Sequence, residues 1–249
     1  MRFLLFTLCA PFSAHGEVAV GERRMGWDRP GRSAILGLVA AALGLDRDDE
    51  AAQRGLDDGL WFAVRTDAAG QPFTDYHTTQ VPGTRRDRRF ATRREELAGV
   101  GLNTILSIRE WRSDALYTAA LWERPEADRR IADLERIKDA LAQPVFILYL
   151  GRKAGALGWP TSPRIVEAPG LIEALHADPA YADRIMQEWL GPLQRRDQGQ
   201  SLAFDAEATG FGAPQPDRIV IRRDQPVSRS RWQFADRRVG IIDGAEGLV

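Results

Sequence analysis

Between two strand-like stretches the chain carries a long, polar, weakly periodic segment from Gln71 to Ile108 that is rich in arginine. Compact domains rarely hold so long a connection unless it serves a function, because its backbone polar groups must stay on the surface. The segment is therefore expected to protrude as an arm, a long hairpin, and any core the chain builds is interrupted there.

The flanking sequence supplies that core. Phe3–Leu8 is apolar on both faces, reads as a buried strand, and is ended by Pro11. Pro11–Pro30 is polar, contains Gly16, Gly21 and Gly26, and reads as a loop. Arg32–Leu43 is a small-residue apolar helix with Gly44 as its C-terminal glycine. Leu60–Thr66 is a second strand between Gly59 and the turn-like Asp67–Gly70, and Ala115–Trp122 is a third. Glu126–Leu141 is an amphipathic helix with Ile131, Leu134, Ile137 and Leu141 along one stripe. Pro144 stops it, and Val145–Leu150 is a fourth strand. The order β-α-β-β-α-β predicts an α+β, ferredoxin-like core, the arrangement RNA-recognition domains use. It spans residues 1–150 with the arm at about 71–108. Residues 151–249 form a smaller, β-rich C-terminal extension packed on that core, with a short helix near Ala180–Leu190 and strands at Leu202–Asp205, Arg218–Ile221 and Val239–Ile242.

Total charge says little, since the net is −1, but its distribution is uneven. All but two of the 34 basic residues are arginine, the lysines being Lys138 and Lys153. Arg85–Arg94 holds six Arg against one Asp, Arg222–Arg238 holds six against two, and acidic residues collect in Asp46–Asp58. The guanidinium fork suits phosphate and stacks on bases, so such runs fit a face that follows a nucleic-acid backbone. Solvated surface in an arginine-rich composition fits them equally.

The single cysteine, Cys9, excludes an internal disulfide framework and any multi-cysteine zinc site, and favours a reducing, cytoplasmic setting. The start imitates a signal peptide, but Phe3–Ala10 is short, has one basic residue before it and is better explained as a strand. No apolar stretch reaches the roughly 20 residues of a membrane span. No pair of His15, His77 and His176 has metal-ligand spacing, and neither a Gly-Lys-Ser/Thr phosphate loop nor a dinucleotide fingerprint is present, so no metal or cofactor is expected. The one catalytic possibility is Tyr76–His77 beside the arginine-rich arm. A histidine moving a proton, with cations stabilising a phosphorane, cleaves RNA without metal. A lone histidine within reach of RNA is more often a binder than a base, so the preferred reading is that Tyr76 stacks on a base and His77 makes a hydrogen bond, or that both only pack the arm.

Five stretches in order resemble the fifth CRISPR-associated subunit family in its type I-E form, the CasD family. These are Leu8–Gly16, Arg32–Gly44, Thr74–Thr78, Ile108–Asp114 continuing into Tyr117–Trp122, and Tyr149–Lys153, a Tyr-Leu-Gly-Arg-basic signature. They span roughly residues 1–170, and beyond Gly170 the likeness thins to Trp232–Ala235 and Arg237. His15 departs from the pattern, standing where an aromatic residue is expected. The resemblance implies an RNA-recognition-like fold with a thumb-like arm. It also implies a non-catalytic subunit of a Cascade ribonucleoprotein complex in antiviral defence. Such a subunit holds the 5′ handle of the crRNA at one end of the backbone (CasC-type) filament and helps seat the large (CasA-type) subunit. Target DNA is met only through the complex, since guide–target pairing reads its sequence. Precursor cleavage in this subtype belongs to a separate endonuclease.

The RNA-binding residues expected on these grounds are Arg24, Arg29, Arg32 and Ser33 from the first loop and helix start; Tyr76, His77, Arg85, Arg86, Arg88 and Arg93 from the arm; Arg109 and Trp111 where the arm rejoins the sheet; and Tyr149, Gly151, Arg152 and Lys153. Ser33 and the helix N-terminus after it suit an anion. Gly151 lets backbone approach RNA closely. Trp27 is a stacking platform or a packing anchor, Arg109 binds RNA or pairs with Glu110, and Arg152 and Lys153 supply charge or cap a loop. Besides the guide-RNA cap, two readings remain: a metal-independent endoribonuclease using His77, and a scaffold whose arginines meet acidic proteins.

Overall fold

The computed structural model describes all residues except 18, 20, 84–88, 99–100, 126, 128–130, 180–182, 197–199 and 245–249. In chain order the strands are β1 (Arg2–Ser13), β2 (His15–Gly16), β3 (Arg23–Arg24), β4 (Gly26–Trp27), β5 (Leu60–Ala68), β6 (Gln71–Pro82), β7 (Leu102–Glu123), β8 (Arg164–Glu167), β9 (Ser201–Asp205), β10 (Arg218–Ser228) and β11 (Gln233–Asp243). The helices are α1 (Arg32–Leu43), α2 (Glu50–Gly59), α3 (Arg93–Leu97), α4 (Leu134–Ala142), α5 (Leu171–His176), α6 (Arg184–Trp189) and α7 (Gly191–Arg196). Among the described residues no helix is long and apolar enough to cross a membrane.

One large sheet runs β10-β11-β9-β5-β7-β1-β8, antiparallel at every step, with β3 and β6 added along β7. Its centre is covered on both faces, which is why β1 is buried without a break from Phe3 to Ala10. On one side Leu4, Phe6, Leu8, Phe62, Val64 and Tyr117 pack under α1 and α4; on the other Phe3, Leu5, Ala63, Trp122 and Phe204 pack under α5. Helix α1 ends as expected: Gly44 takes φ 74°, a left-handed cap that donates its N–H to the Ala40 and Ala41 carbonyls.

The first strand runs past Pro11 to Ser13, the expected loop at Pro11–Pro30 holds the short strands β2, β3 and β4, and two further elements differ. The amphipathic helix begins at Leu134 rather than Glu126, because the Asp133 side chain accepts from the Arg136 N–H and caps it there. Its stripe survives, with Leu134, Ile137 and Leu141 buried. The expected fourth strand at Val145–Leu150 does not form. The Val145 and Phe146 N–H groups bond to the Ala42 and Ala41 carbonyls, closing the C-terminal end of α1, and Ile147 is 86% exposed. The sheet position beside β1 belongs to β8 instead. The C-terminal strands fall within β9, β10 and β11 as expected and extend the same sheet through β9 against β5.

The arm is a long antiparallel hairpin, in register from Gln71 opposite Ser113 to Pro82 opposite Leu102, with α3 toward its tip. Strand β7 is shared: its first half builds the arm with β6, its second half the core with β5 and β1. Asp114 at φ 57° marks the change. Beside it Gly70 at φ 68° lies so near that a Cβ would fall 2.2 Å from the Ser113 carbonyl oxygen, which only glycine allows.

A buried ionic network ties the first helix to the C-terminal strands. Arg32 is fully buried; its Nε donates to Asp57 Oδ1 (2.8 Å), Nη1 to Asp205 Oδ2 (2.5 Å), and Nη2 to the Asp57 and Leu60 carbonyls. Arg237 donates to both oxygens of Asp224 and to Asp205 Oδ1. Arg32 is thus committed to the interior and is not a phosphate ligand. Removing one member of such a network strands a charge, which costs about 3–5 kcal/mol. Arg32→Leu is expected to lower unfolding free energy by about that much in denaturant titration; a change under about 0.5 kcal/mol, typical of surface sites, would contradict the arrangement.

His15 is also buried. Its ring sits edge-on to Tyr117 at 5.2 Å, and among the described residues neither ring nitrogen has a hydrogen-bond partner. Burial lowers its pKa to about 3, Arg112 pushing the same way and Asp28 opposing. The unfolded chain therefore takes up a proton below about pH 6.5 that the folded chain refuses, and stability is lost as pH drops through that window. His15→Phe keeps the edge-on packing and removes the titration. Between about pH 7.5 and 5 it is expected to lose about 2 kcal/mol less stability than the parent, read from denaturant midpoints at each pH.

Candidate nucleic-acid interface

Side chains alternate across a strand, so register decides which residues share a face of the arm. Phe73, Asp75 and His77 of β6 stand opposite Trp111, Arg109 and Ser107 of β7. On the far side of β7, the parallel strand β3 sets Arg24 beside Arg109. The turn after Leu150 adds Arg152, whose guanidinium lies 4.7 Å from the Trp111 ring centre and donates through Nη1 to the Glu110 carbonyl (3.0 Å). Phe12, near the end of β1, meets Phe73 edge-on at 5.3 Å, and Phe73 lies parallel to Trp111 at 6.4 Å. The root of the arm thus carries an aromatic row, Phe12–Phe73–Trp111, topped by Arg152.

Three guanidiniums gather on this face. Arg109 Nε donates to Ser107 Oγ (3.2 Å) and Arg24 Nη1 to the Gly21 carbonyl (2.8 Å). Among the described residues, none of Arg24, Arg109 and Arg152 closes an ion pair. Burial lowers the pKa of Arg152, the Arg109 and Arg24 charges push it further down, and Asp75 opposes them. Three positive charges held together against one carboxylate, Asp75, leave a net positive face, the electrostatic condition for binding an anion. Flat aromatic and guanidinium surfaces beside it suit unpaired bases.

The remaining expected residues are dispersed. Tyr76 points from the opposite face of the hairpin and is 61% exposed. Arg93 is turned inward along the arm, on Glu96 and the Gln80 carbonyl. Arg85, Arg86 and Arg88 lie outside the described residues. Arg29 is buried with Nε and Nη2 on Asp28. Trp27 is a packing anchor, with the Arg29 and Arg222 guanidiniums over its ring. The N-terminus of α1 is already filled by a protein anion, since the Arg32 N–H donates to Asp224 Oδ2 (2.8 Å), and the Ser33 carbonyl accepts from Arg229. The anion site expected at Ser33 is therefore occupied from within. Tyr149 makes one bridge, to Ala156, and Lys153 is exposed.

Gly151 does permit a close approach, but to the chain itself: at φ 84°, a Cβ would fall 1.6 Å from the Ala14 carbonyl oxygen. Arg109 does not pair with Glu110, whose carboxylate accepts from the Gly26 N–H (3.0 Å). Sequence reading missed Phe12, Phe73 and Asp75. The signal for Phe73 and Asp75 was the alternation Phe73-Thr-Asp75-Tyr-His77, which acquires meaning only once its register against Ser107–Trp111 is known, and Phe12 joins them only through its contact with Phe73. Gly151→Ala is expected to displace the turn carrying Arg152 and to destabilise the protein by about 2 kcal/mol or more, whereas Lys153→Ala leaves the unfolding midpoint within experimental scatter. Equal midpoints for the two variants would contradict the close approach.

Comparison with known proteins bears on this geometry. Residues 3–240 match the family described as CRISPR-associated protein (Cas_Cas5). The chain is 30% identical over 244 residues to the CRISPR system Cascade subunit CasD of Escherichia coli (strain K12), covering 97% of this chain and 96% of that one. A solved structure titled crystal structure of Cas protein superposes with TM-score 0.61 at 25% identity, over 99% of this chain and 97% of that one. A chain of a CRISPR RNA-guided surveillance complex superposes at 0.60 and 24% identity, over 97% and 90%. A matched span from residue 3 to residue 240 leaves no doubt of kinship: the chain belongs to the Cas5 family of CRISPR-associated proteins.

Proposed function

We propose that this chain is a non-catalytic, guide-RNA-binding subunit of a type I-E Cascade complex, gripping the 5′ handle of the crRNA on the root of its arm. The observation that carries the reading is the trio Arg24, Arg109 and Arg152, free of ion pairs and set around the Phe73–Trp111 row. Phosphates meet the three guanidiniums, and splayed bases stack on the Arg152 plane and the exposed part of Phe73. Strands β8-β1-β7-β5, antiparallel throughout, support a ferredoxin-like RNA-binding core with β8 in the fourth place. Tyr76, on the other face of the hairpin, is available to the neighbouring backbone subunit. The subunit caps the filament beside the large subunit, meets target DNA only through the complex, and acts in the cytoplasm.

Chemistry at the site argues for holding rather than cutting. His77 is half exposed, and its Nδ1 stands 3.7 Å from Asp75 Oδ2, beyond hydrogen-bonding distance. That contact does not orient the imidazole, which supports holding over cutting. Co-expression with the other complex subunits and a CRISPR array, followed by purification through this chain, is expected to yield guide RNAs sharing one 5′ end. The Arg109→Glu, Arg152→Glu double variant is expected to lose them. Replacing Arg24, Arg109 and Arg152 by alanine is expected to flatten the salt dependence of binding by about two units of slope, since each phosphate contact on single-stranded nucleic acid contributes about 0.7. Cleavage of repeat RNA in EDTA that His77→Ala abolishes would replace this reading with the endoribonuclease one.

A further inference from the structure

Resting on the RNA-binding reading of the arm root, we infer that Asp75 makes this face selective for one unpaired guanine. A face that collects phosphates is weakened by a carboxylate, because like charges a few ångströms apart repel even in water. Asp75 nevertheless stands in that face, directly opposite Arg109 and between Phe73 and His77 on β6. Among the described residues its side chain accepts no hydrogen bond, although Arg152 lies within reach of its charge. Arg109 directs Nε to Ser107 Oγ, Arg152 directs Nη1 to the Glu110 carbonyl, and the His77 Nδ1 stands 3.7 Å from Asp75 Oδ2, beyond hydrogen-bonding distance. The Asp75 side chain is 43% exposed, so its oxygens are open to a ligand arriving over the aromatic row.

An ionised carboxylate only accepts hydrogen bonds, so its partner on RNA must be a donor edge. Guanine presents two adjacent donors, N1–H and the N2 amino group, whose parallel N–H bonds match the two carboxylate oxygens, as an arginine fork does. Uracil offers one N–H flanked by two carbonyl oxygens that the carboxylate repels. Adenine and cytosine each offer one amino group beside a ring nitrogen that is itself an acceptor. A bidentate, charge-assisted pair beside an aromatic surface therefore favours guanine, while the arginines hold the adjoining phosphates whatever the base. A good bidentate contact discriminates by about tenfold to a hundredfold.

The test uses the assembled complex. The chain, or its Asp75→Asn variant, is co-expressed with its partner subunits and a library of repeats randomised across the handle, and the RNA retained by each is sequenced. Sequence bias in processing is common to both pools and cancels in their ratio. Guanine is expected to be enriched about tenfold or more at one handle position with the parent chain. Asparagine keeps the shape but loses one acceptor and the charge, so that enrichment is expected to vanish while RNA is still retained through the arginines. Absence of a guanine enrichment that depends on Asp75, with RNA still retained, would overturn the inference and leave the RNA-binding reading standing. Failure of both forms to retain any RNA would overturn both.

Discussion

Strand β7 is the constraint on which the rest of the molecule depends. One uninterrupted run from Leu102 to Glu123 is hydrogen-bonded to β6 along its first half and to β1 and β5 along its second. Ala115–Trp122 is buried in the sheet centre, so the arm is a continuation of the core's own backbone rather than a tethered loop. The joint is local. Asp114 takes a left-handed conformation, and Gly70 closes against Ser113 and Ala115 with no room for a side chain. Arg109 and Trp111, a few residues before that joint, inherit its rigidity, which is what a site of fixed geometry requires.

The arginines divide by the company they keep. Arg32, Arg237 and Arg164 are bonded to aspartates inside the fold and join segments distant in the chain. Buried networks of this kind add little over a well-packed apolar alternative but are costly to break, so they fix which segments meet. Among the described residues Arg24, Arg109 and Arg152 close no ion pair with an aspartate, although Asp75 stands on the same face. The same residue type thus serves two ends, and the difference lies in whether an aspartate is bonded to it.

That distinction explains how much could be read from the chain alone. Local signals were legible: the apolar run of β1, the Gly44 cap, the unusually long polar segment as an arm, and the ordered stretches of family likeness. Partners distant in sequence were not. Arg32 beside Ser33 at a helix start looks like an anion site, and only the arrival of Asp224 and Asp205 from far along the chain reveals its burial. Val145–Ile147 has strand composition, yet its N–H groups are consumed by the end of α1 and β8 takes the edge. For the site, Arg24, His77, Arg109, Trp111 and Arg152 were named from sequence and do share one face, while Phe12, Phe73 and Asp75 required the register of β6 against β7.

The most direct test of the central claim, that RNA lies on the root of the arm, is zero-length ultraviolet cross-linking of the assembled complex with mass-spectrometric mapping of the attached nucleotides. Cross-links are expected on peptides carrying Phe73, Trp111 and Phe12, the exposed or partly exposed rings of that face. Cross-links confined to other surfaces, such as Trp232 or Trp189, with none on either strand of the hairpin, would contradict it.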